Sequence, residues 1–248
     1  MVVAEQAFVS PGRLTAASAQ AVANALLPYL GDARLVLDVG VGDGAGAVPL
    51  ESVGVCVVAL DIDCRALADV LGPAVCADAH HLPMAAGSVP VVHLSGVLHH
   101  TTDWRRVLAE LARVVTDGGL VAAVLSPGTQ DPLPDQVRRH LATALDLRLA
   151  PRPLRRSPDL HEAQQVDAEL ECLGFGPPWV LQVPGQLVTS ARRLVAAASS
   201  HPATPAVQPA DMQAAAAATL AWAATLVGGP DIEVLLPTGR VYRIYRKG

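Results

Sequence analysis

Aromatic residues are scarce: Phe, Trp and Tyr make up 3% of the 248 residues. Surfaces that grip single-stranded nucleic acid stack bases on aromatic rings, so this scarcity weighs against one. Lysine is nearly missing as well. Lys247 is the only lysine among 18 basic residues, and the net charge is −5, which gives no general attraction to a phosphate backbone. Cysteines 56, 64, 76 and 172 form no CxxC pair and no histidine-linked zinc pattern. No metal site is therefore expected, and buried free thiols in a reducing compartment are. No strongly apolar run reaches the ~18 residues of a membrane span. The nearest, 212–227, is mostly alanine and follows Asp211, as a soluble helix would. The opening MVVAEQAF carries Glu5 and no basic region before its apolar residues, unlike a secretory signal. A cytoplasmic protein is expected.

What the chain has is apolar mass. With 51% hydrophobic residues it is long enough for one well-filled α/β domain. The organising stretch is 35–44, LVLDVGVGDG. Val36, Leu37 and Val39 suit a strand buried on both faces. Gly40, Gly42 and Gly44 let the chain turn sharply and leave no Cβ in the way of a ligand on the backbone. A second apolar run, 55–60, ends in Asp61. That acid lies 61 − 42 = 19 residues past the middle glycine, the spacing at which a carboxylate takes two ribose hydroxyls in nucleotide-binding α/β folds.

Three readings of the loop compete. It can be a ligand-free turn. As Gly40-x-Gly42-x-x-Ala45 it formally fits the dinucleotide fingerprint and a nicotinamide-dependent oxidoreductase. Asp38 and Asp43, however, would flank and repel a pyrophosphate. S-adenosylmethionine reverses that sign: it carries a sulfonium, an ammonium and an adenosine, and no phosphate. With Asp61 in place this ligand is the favoured one.

Asp38-x-Gly40-x-Gly42-x-Gly44 resembles the glycine motif of the class I S-adenosylmethionine-dependent methyltransferases. The ordered segments ADAHHLP, SGVLHH and ELARVVTDGG extend the likeness to a small-molecule branch, over roughly residues 30–126 and the last strand. Asp43, Met84 and Val89-Pro90 depart from that branch's usual residues. The resemblance implies a Rossmann-like fold: a mostly parallel seven-stranded sheet, an antiparallel C-terminal strand inside it, and helices on both faces. It implies S-adenosylmethionine as cofactor, bound by Asp38, Gly40, Gly42, Gly44, Asp61, Ile62, Asp78, Ala79 and Ser95. Asp78 would accept from the adenine amino group.

Periodicity supplies the other elements: a helix over 14–29, where Phe8 and Arg13 are weak pocket candidates; strands over 55–62, 74–77, 91–97 and 120–125; and helices over 65–71 and 104–115, the latter capped by Asp103 and stopped by Asp117-Gly118-Gly119. Further helices are expected over 133–149, 160–173, 190–199 and 209–227. An irregular strand is expected over 180–189, and a hairpin-like pair or bent edge strand over 232–245. One domain follows: a helical cap (1–30), a cofactor core (31–126), substrate-side helices (127–230) and a terminal strand (231–248).

His99 and His100, at the end of the fourth strand, are the candidate base or orienting residues for an acceptor that must lose a proton; packing is the plainer reading. His80 and His81 are a weaker choice. Nucleic-acid methylation is disfavoured. The place of a base-stacking Asp/Asn-Pro-Pro-Tyr-like motif is held by LHHT, and Pro177-Pro178-Trp179 comes too late in the chain. Six arginines (138, 139, 148, 152, 155, 156) share one stretch with a single acid; they read as a solvated face rather than an acidic-ligand site. The expected partner is a small-molecule acceptor for O-, N- or C-methylation, without nucleic acid or membrane; a homodimer stays open. The alternative is a protein that binds S-adenosylmethionine but catalyses a cyclisation or elimination.

Overall fold

Two-residue β1 (Arg13–Leu14) opens the structure and α1 (Ala16–Leu30) follows. Thr15 caps the helix by accepting from the Ser18 N–H at 3.2 Å, and Gly31 ends it at φ 57°. Leu14 was expected inside this helix; it lies instead in β1, paired with Leu187. The computed structural model describes residues 10, 12–42, 50, 54–70, 72–101, 103–129, 131–145, 160–200, 204 and 207–248. Gly44, Asp43 and Phe8 fall outside the described residues, as do Arg148, Arg152, Arg155 and Arg156.

Apolar runs build the central strands: β2 (Leu35–Val39), β3 (Cys56–Asp61), β4 (Ala74–Cys76), β5 (Val89–Ser95) and β6 (Val115–Thr129). They pair in parallel in the order β4-β3-β2-β5-β6. The later strands β7 (Trp179–Thr189) and β8 (Val234–Arg246) complete an eight-stranded sheet, β1-β7-β8-β6-β5-β2-β3-β4. β8 is antiparallel to both neighbours, as the resemblance implied, and β1 is an addition at the edge. The tail is therefore one internal strand rather than a hairpin, and β7 runs unbroken through Pro184-Gly185. Each of the two prolines, Pro184 and Pro237, sits where its strand has a neighbour on one side only. A missing N–H costs no ladder bond there.

Helices cover both faces. α2 (Trp104–Val114) and α4 (Leu160–Cys172) bury Val107, Leu111 and Leu170 against one face. α1 lays Val22, Leu26 and Leu30 on the other, over Val36, Val91 and Tyr242. α3 (Leu133–Ala144), α5 (Ala191–Ser200) and α6 (Pro209–Val227) share a third cluster with Leu236, on the early half of β8. Because β8 runs antiparallel, this half lies toward the carboxyl ends of the parallel strands. Arg138 pairs with Asp135 one turn earlier on α3, which fits a solvated helix face. Among the described residues no helix is long and apolar enough to cross a membrane.

Three local expectations need correction. Residues 66–69 form a 3-10 turn, not an α-helix. α2 ends at Val114, and Asp117-Gly118-Gly119 forms a bulge within β6: Val89 pairs with Val115, but Val91 pairs with Leu120. Nor are the cysteines buried free thiols. Cys64 and Cys76 form a disulfide, Cα–Cα 5.1 Å, and Cys56 and Cys172 are exposed. The bridge ties the loop after β3 to the end of β4.

Glu110 and Arg113 fasten α2 to the loop between β4 and β5. The buried Glu110 carboxylate accepts from the Leu82 N–H at 2.8 Å and from Arg113 at 2.8 and 2.9 Å. Arg113 also donates to the Leu82 and Met84 carbonyls at 2.9 and 2.8 Å. The guanidinium holds the Glu110 carboxyl below its ordinary range. A folded pKa below the unfolded one adds stability above the unfolded value, and that stability is lost as pH falls through the folded value. Glu110→Gln should therefore lower stability by about 2 kcal/mol at pH 7. In urea melts the gap between the two proteins should start to narrow as pH falls below about 4.3 and close only below the lower, folded value. A gap unchanged at pH 3 would contradict this role.

Candidate active site

The parallel strands end on one side of the sheet, and the order switches between β2 and β5, the place where an open α/β sheet forms its crevice. β2 ends in Val39 and the chain turns at Gly40, φ 72°, and Gly42, φ 53°. Positive φ in this range favours glycine. Gly40 has a second reason: a Cβ placed there would stand 2.5 Å from Val97 Cγ2. The segment leaving β5 is thus laid directly on the glycine turn.

Asp61 closes that turn from the neighbouring strand. Its Oδ2 accepts from the Gly42 N–H at 2.8 Å and its Oδ1 from the Asp63 N–H at 2.9 Å. The 19-residue separation seen in the sequence is the separation of this bonded pair. Ile62, next along, is 70% exposed. An isoleucine left in water at the edge of a crevice is a ready apolar wall for a flat ring. Asp63 is engaged with Arg65 at 2.8 Å.

At the far end of the crevice Asp78 follows β4. Its Oδ1 accepts from the His80 N–H at 2.9 Å and meets His80 Nδ1 at 2.7 Å. The His80 backbone N–H, helped by the imidazole, holds this carboxyl below the usual carboxylate range. His80 thus bonds Asp78 through Nδ1, while its buried Nε2 has no hydrogen-bond partner among the described residues. Ala79 is half-buried and packs on the core below. The Cys64–Cys76 bridge ties the loop that follows Asp61 to the end of β4, two residues before Asp78.

Ser95, half-buried, is the last residue of β5, one beyond Leu94, the register partner of Val39. Gly96 at φ 71° and a 3-10 turn, Leu98–His100, come next. The exposed His100 N–H bonds to the Val97 carbonyl at 2.9 Å. His99 shares the turn, and its side chain lies outside the described residues. Asp103 caps α2 by accepting from the Arg106 N–H at 3.1 Å, as its place in the sequence suggested. Arg13, a weak pocket candidate, is instead an exposed partner of Glu233 at 3.2 Å.

The structure brings Gly40, Gly42, Asp61, Ile62, Ser95 and the His99–His100 turn around one crevice end, with Asp78 and Ala79 at the other. Asp38 lies one step below the turn and is buried. Its Oδ1 meets His93 Nδ1 at 2.7 Å, across the β2–β5 pairing that sets the two residues side by side. Sequence reasoning missed this partner. Its signal was a lone histidine inside an apolar strand, a position at which burial demands a hydrogen bond. Tyr242 and Arg240, both buried on β8, were missed too. Burial pushes the Tyr242 hydroxyl up, with Arg240 opposing and Asp38 adding to the rise.

Known proteins resemble this chain in sequence and in fold. A methyltransferase domain family matches residues 37–123. The "Probable S-adenosylmethionine-dependent methyltransferase" of Mycobacterium tuberculosis is 30% identical over 173 residues, 59% of this chain and 63% of its own. The "Biotin biosynthesis bifunctional protein BioHC" of Cellvibrio japonicus is 35% identical over 120 residues, 44% of this chain and 24% of its own. The chain therefore spans less than two thirds of these curated relatives. The solved structure of YcgJ from Bacillus subtilis overlays at TM-score 0.51 and 17% identity, covering 90% of this chain and 98% of YcgJ; that likeness speaks to the fold. The matched residues run from β2 to β6, the half of the sheet that opens into the crevice. Residues 37–123 match a methyltransferase domain, and the chain is similar to S-adenosylmethionine-dependent methyltransferases.

Proposed function

We propose that this chain binds S-adenosylmethionine in the crevice and passes its methyl group to an oxygen, nitrogen or carbon nucleophile of a small molecule, in biosynthesis. The observation that carries the reading is the contact of Val97 with Gly40, which sets the exit of β5 against the glycine turn. The residues present fit the cofactor. Asp61 spends one lone pair of each oxygen on a backbone N–H, and an ionised carboxylate keeps further acceptor sites for two ribose hydroxyls. Ile62 offers an apolar wall. Asp61 ends β3, Asp78 follows β4 and Asp38 is buried just below the glycine turn, a set of acids that repels a pyrophosphate and attracts an ammonium or sulfonium.

Gly40, Gly42 and Gly44 would hold the amino-acid part together with Asp38 and Ser95, Asp61 the ribose, and Ile62, Asp78 and Ala79 the adenine. When bound, the cofactor supplies a methyl group already activated by its sulfonium. The protein's own task is then alignment and exclusion of water, which can carry most of a rate enhancement. His99 and His100 border the same spot and would orient the acceptor or take its proton. The α3–α5–α6 cluster stands on the crevice side of β8 and is suited to enclosing a small acceptor.

Calorimetric titration with S-adenosylmethionine, S-adenosylhomocysteine and NADH tests the reading. Micromolar binding of both adenosyl ligands, and none of NADH, is expected. Binding of NADH alone would replace it with the oxidoreductase. If product analysis of candidate acceptors found cyclised or eliminated product without added methyl, only the transfer step would fall.

A further inference from the structure

His93 occupies a place where a strand ordinarily carries an apolar residue. It lies within β5, is 3% exposed, and stands beside Asp38 in the β2–β5 register. Its ring makes one hydrogen bond, from Nδ1 to Asp38 Oδ1 at 2.7 Å. Nε2 is buried and makes none among the described residues. With a carboxylate as acceptor, Nδ1 is the protonated nitrogen. The next strand offers Ala122 opposite His93, and over this small residue the Tyr242 ring reaches to 5.9 Å from the imidazole. Tyr242 and the imidazole therefore fix each other in a dry layer beneath α1, where a hydrogen bond is stronger than in water.

The energetic logic is one-sided. A buried histidine with an unpartnered nitrogen costs stability, and leucine or phenylalanine would fill the same space without that cost. What the histidine adds is a rigid donor for Asp38, two residues before Gly40. We infer that His93 is a positioning residue for cofactor binding: its Nδ1–H holds the Asp38 carboxylate in one rotamer, so that the carboxylate meets the ammonium group of S-adenosylmethionine pre-organised. This inference rests on the cofactor reading above.

The test compares two ligands that differ in the amino-acid part, the ammonium with its carboxylate. S-Adenosylhomocysteine has it; 5′-methylthioadenosine has the same adenosine and thioether and lacks it. Both are titrated calorimetrically into wild type, His93→Asn, His93→Gln and His93→Leu, with a thermal melt of each protein. Asparagine puts an amide N–H near the Nδ1 position, whereas glutamine puts one near Nε2. His93→Gln and His93→Leu should weaken S-adenosylhomocysteine about tenfold, the lower range for a hydrogen bond to a charged group. They should leave methylthioadenosine within about twofold, and His93→Asn should recover most of the loss. If His93→Leu does not fold, the asparagine–glutamine contrast decides alone. Equal losses for both ligands, or none for either, would overturn the inference while leaving the cofactor reading intact. A wild-type protein that binds neither ligand would overturn both.

Discussion

Asp61→Ala should weaken S-adenosylmethionine and S-adenosylhomocysteine by a factor on the order of 10² to 10³ while leaving the fold in place. The size follows from what the carboxylate does. Among the described acids it is the one bonded to the glycine turn, through the Gly42 N–H, and it also fixes the next loop through the Asp63 N–H. With a ribose in place it would add charge-assisted bonds to two hydroxyls, each worth about 1.5–3 kcal/mol. Losing two, less what water recovers, gives about 3–4 kcal/mol, or two to three decades in Kd. The stability cost should be small, because Asp61 is half-exposed and water can reach the two orphaned N–H groups. Asp61→Asn separates the parts. Its side-chain oxygen can keep the Gly42 bond, but its amide has one acceptor oxygen where the carboxylate has two. It should bind between wild type and the alanine variant. Calorimetry on the three proteins checks this, with a urea melt of each. A loss below about threefold in the alanine variant would remove Asp61 from the ribose site and leave it as a clasp on the turn.

How much of this was legible in the sequence depended on whether the signal was local. The glycine turn and Asp61 could be read because a buried parallel strand, a turn and a strand-end acid each have a short-range signature, and the 19-residue spacing joins them. Helix α6 was read with its observed bounds, Pro209–Val227, since a proline start and a glycine stop frame it. The tail was misread because Pro237-Thr238-Gly239 has turn composition. What straightens it is the pairing of Pro237 with Gln186 and of Gly239 with Pro184, which lie far away in the chain. The His93–Asp38 bond spans 55 residues, and only the β2–β5 register reveals it. The Cys64–Cys76 bridge, 12 residues apart, was missed for a different reason. No CxxC pattern marked it, and its partners meet because β3 and β4 are neighbours in the sheet.

Gly40→Ala carries the second large effect, and a cycle with Val97→Ala resolves its cause. Two penalties meet at this position. At φ 72° a Cβ brings the left-handed cost of an L-residue, about 1–2 kcal/mol. The same Cβ would stand 2.5 Å from Val97 Cγ2, a contact that requires displacement of the valine and the chain carrying it, about 1–3 kcal/mol more. The single variant should lose about 3 kcal/mol of stability. It should also lose measurable adenosyl binding, because the turn and the exit of β5 would be forced apart at the crevice. Val97→Ala removes the clashing methyl groups and leaves the valine Cβ position, 3.5 Å away, at ordinary contact. In that background the alanine at position 40 should cost only the backbone term, near 1–2 kcal/mol. The difference between the two costs is the clash itself, and part of the adenosyl binding should return with it. Denaturant melts of the four proteins supply the cycle. If alanine at position 40 cost the same with and without the valine methyls, Val97 would not rest on the glycine turn, and the contact that joins the β5 exit to the cofactor site would be lost.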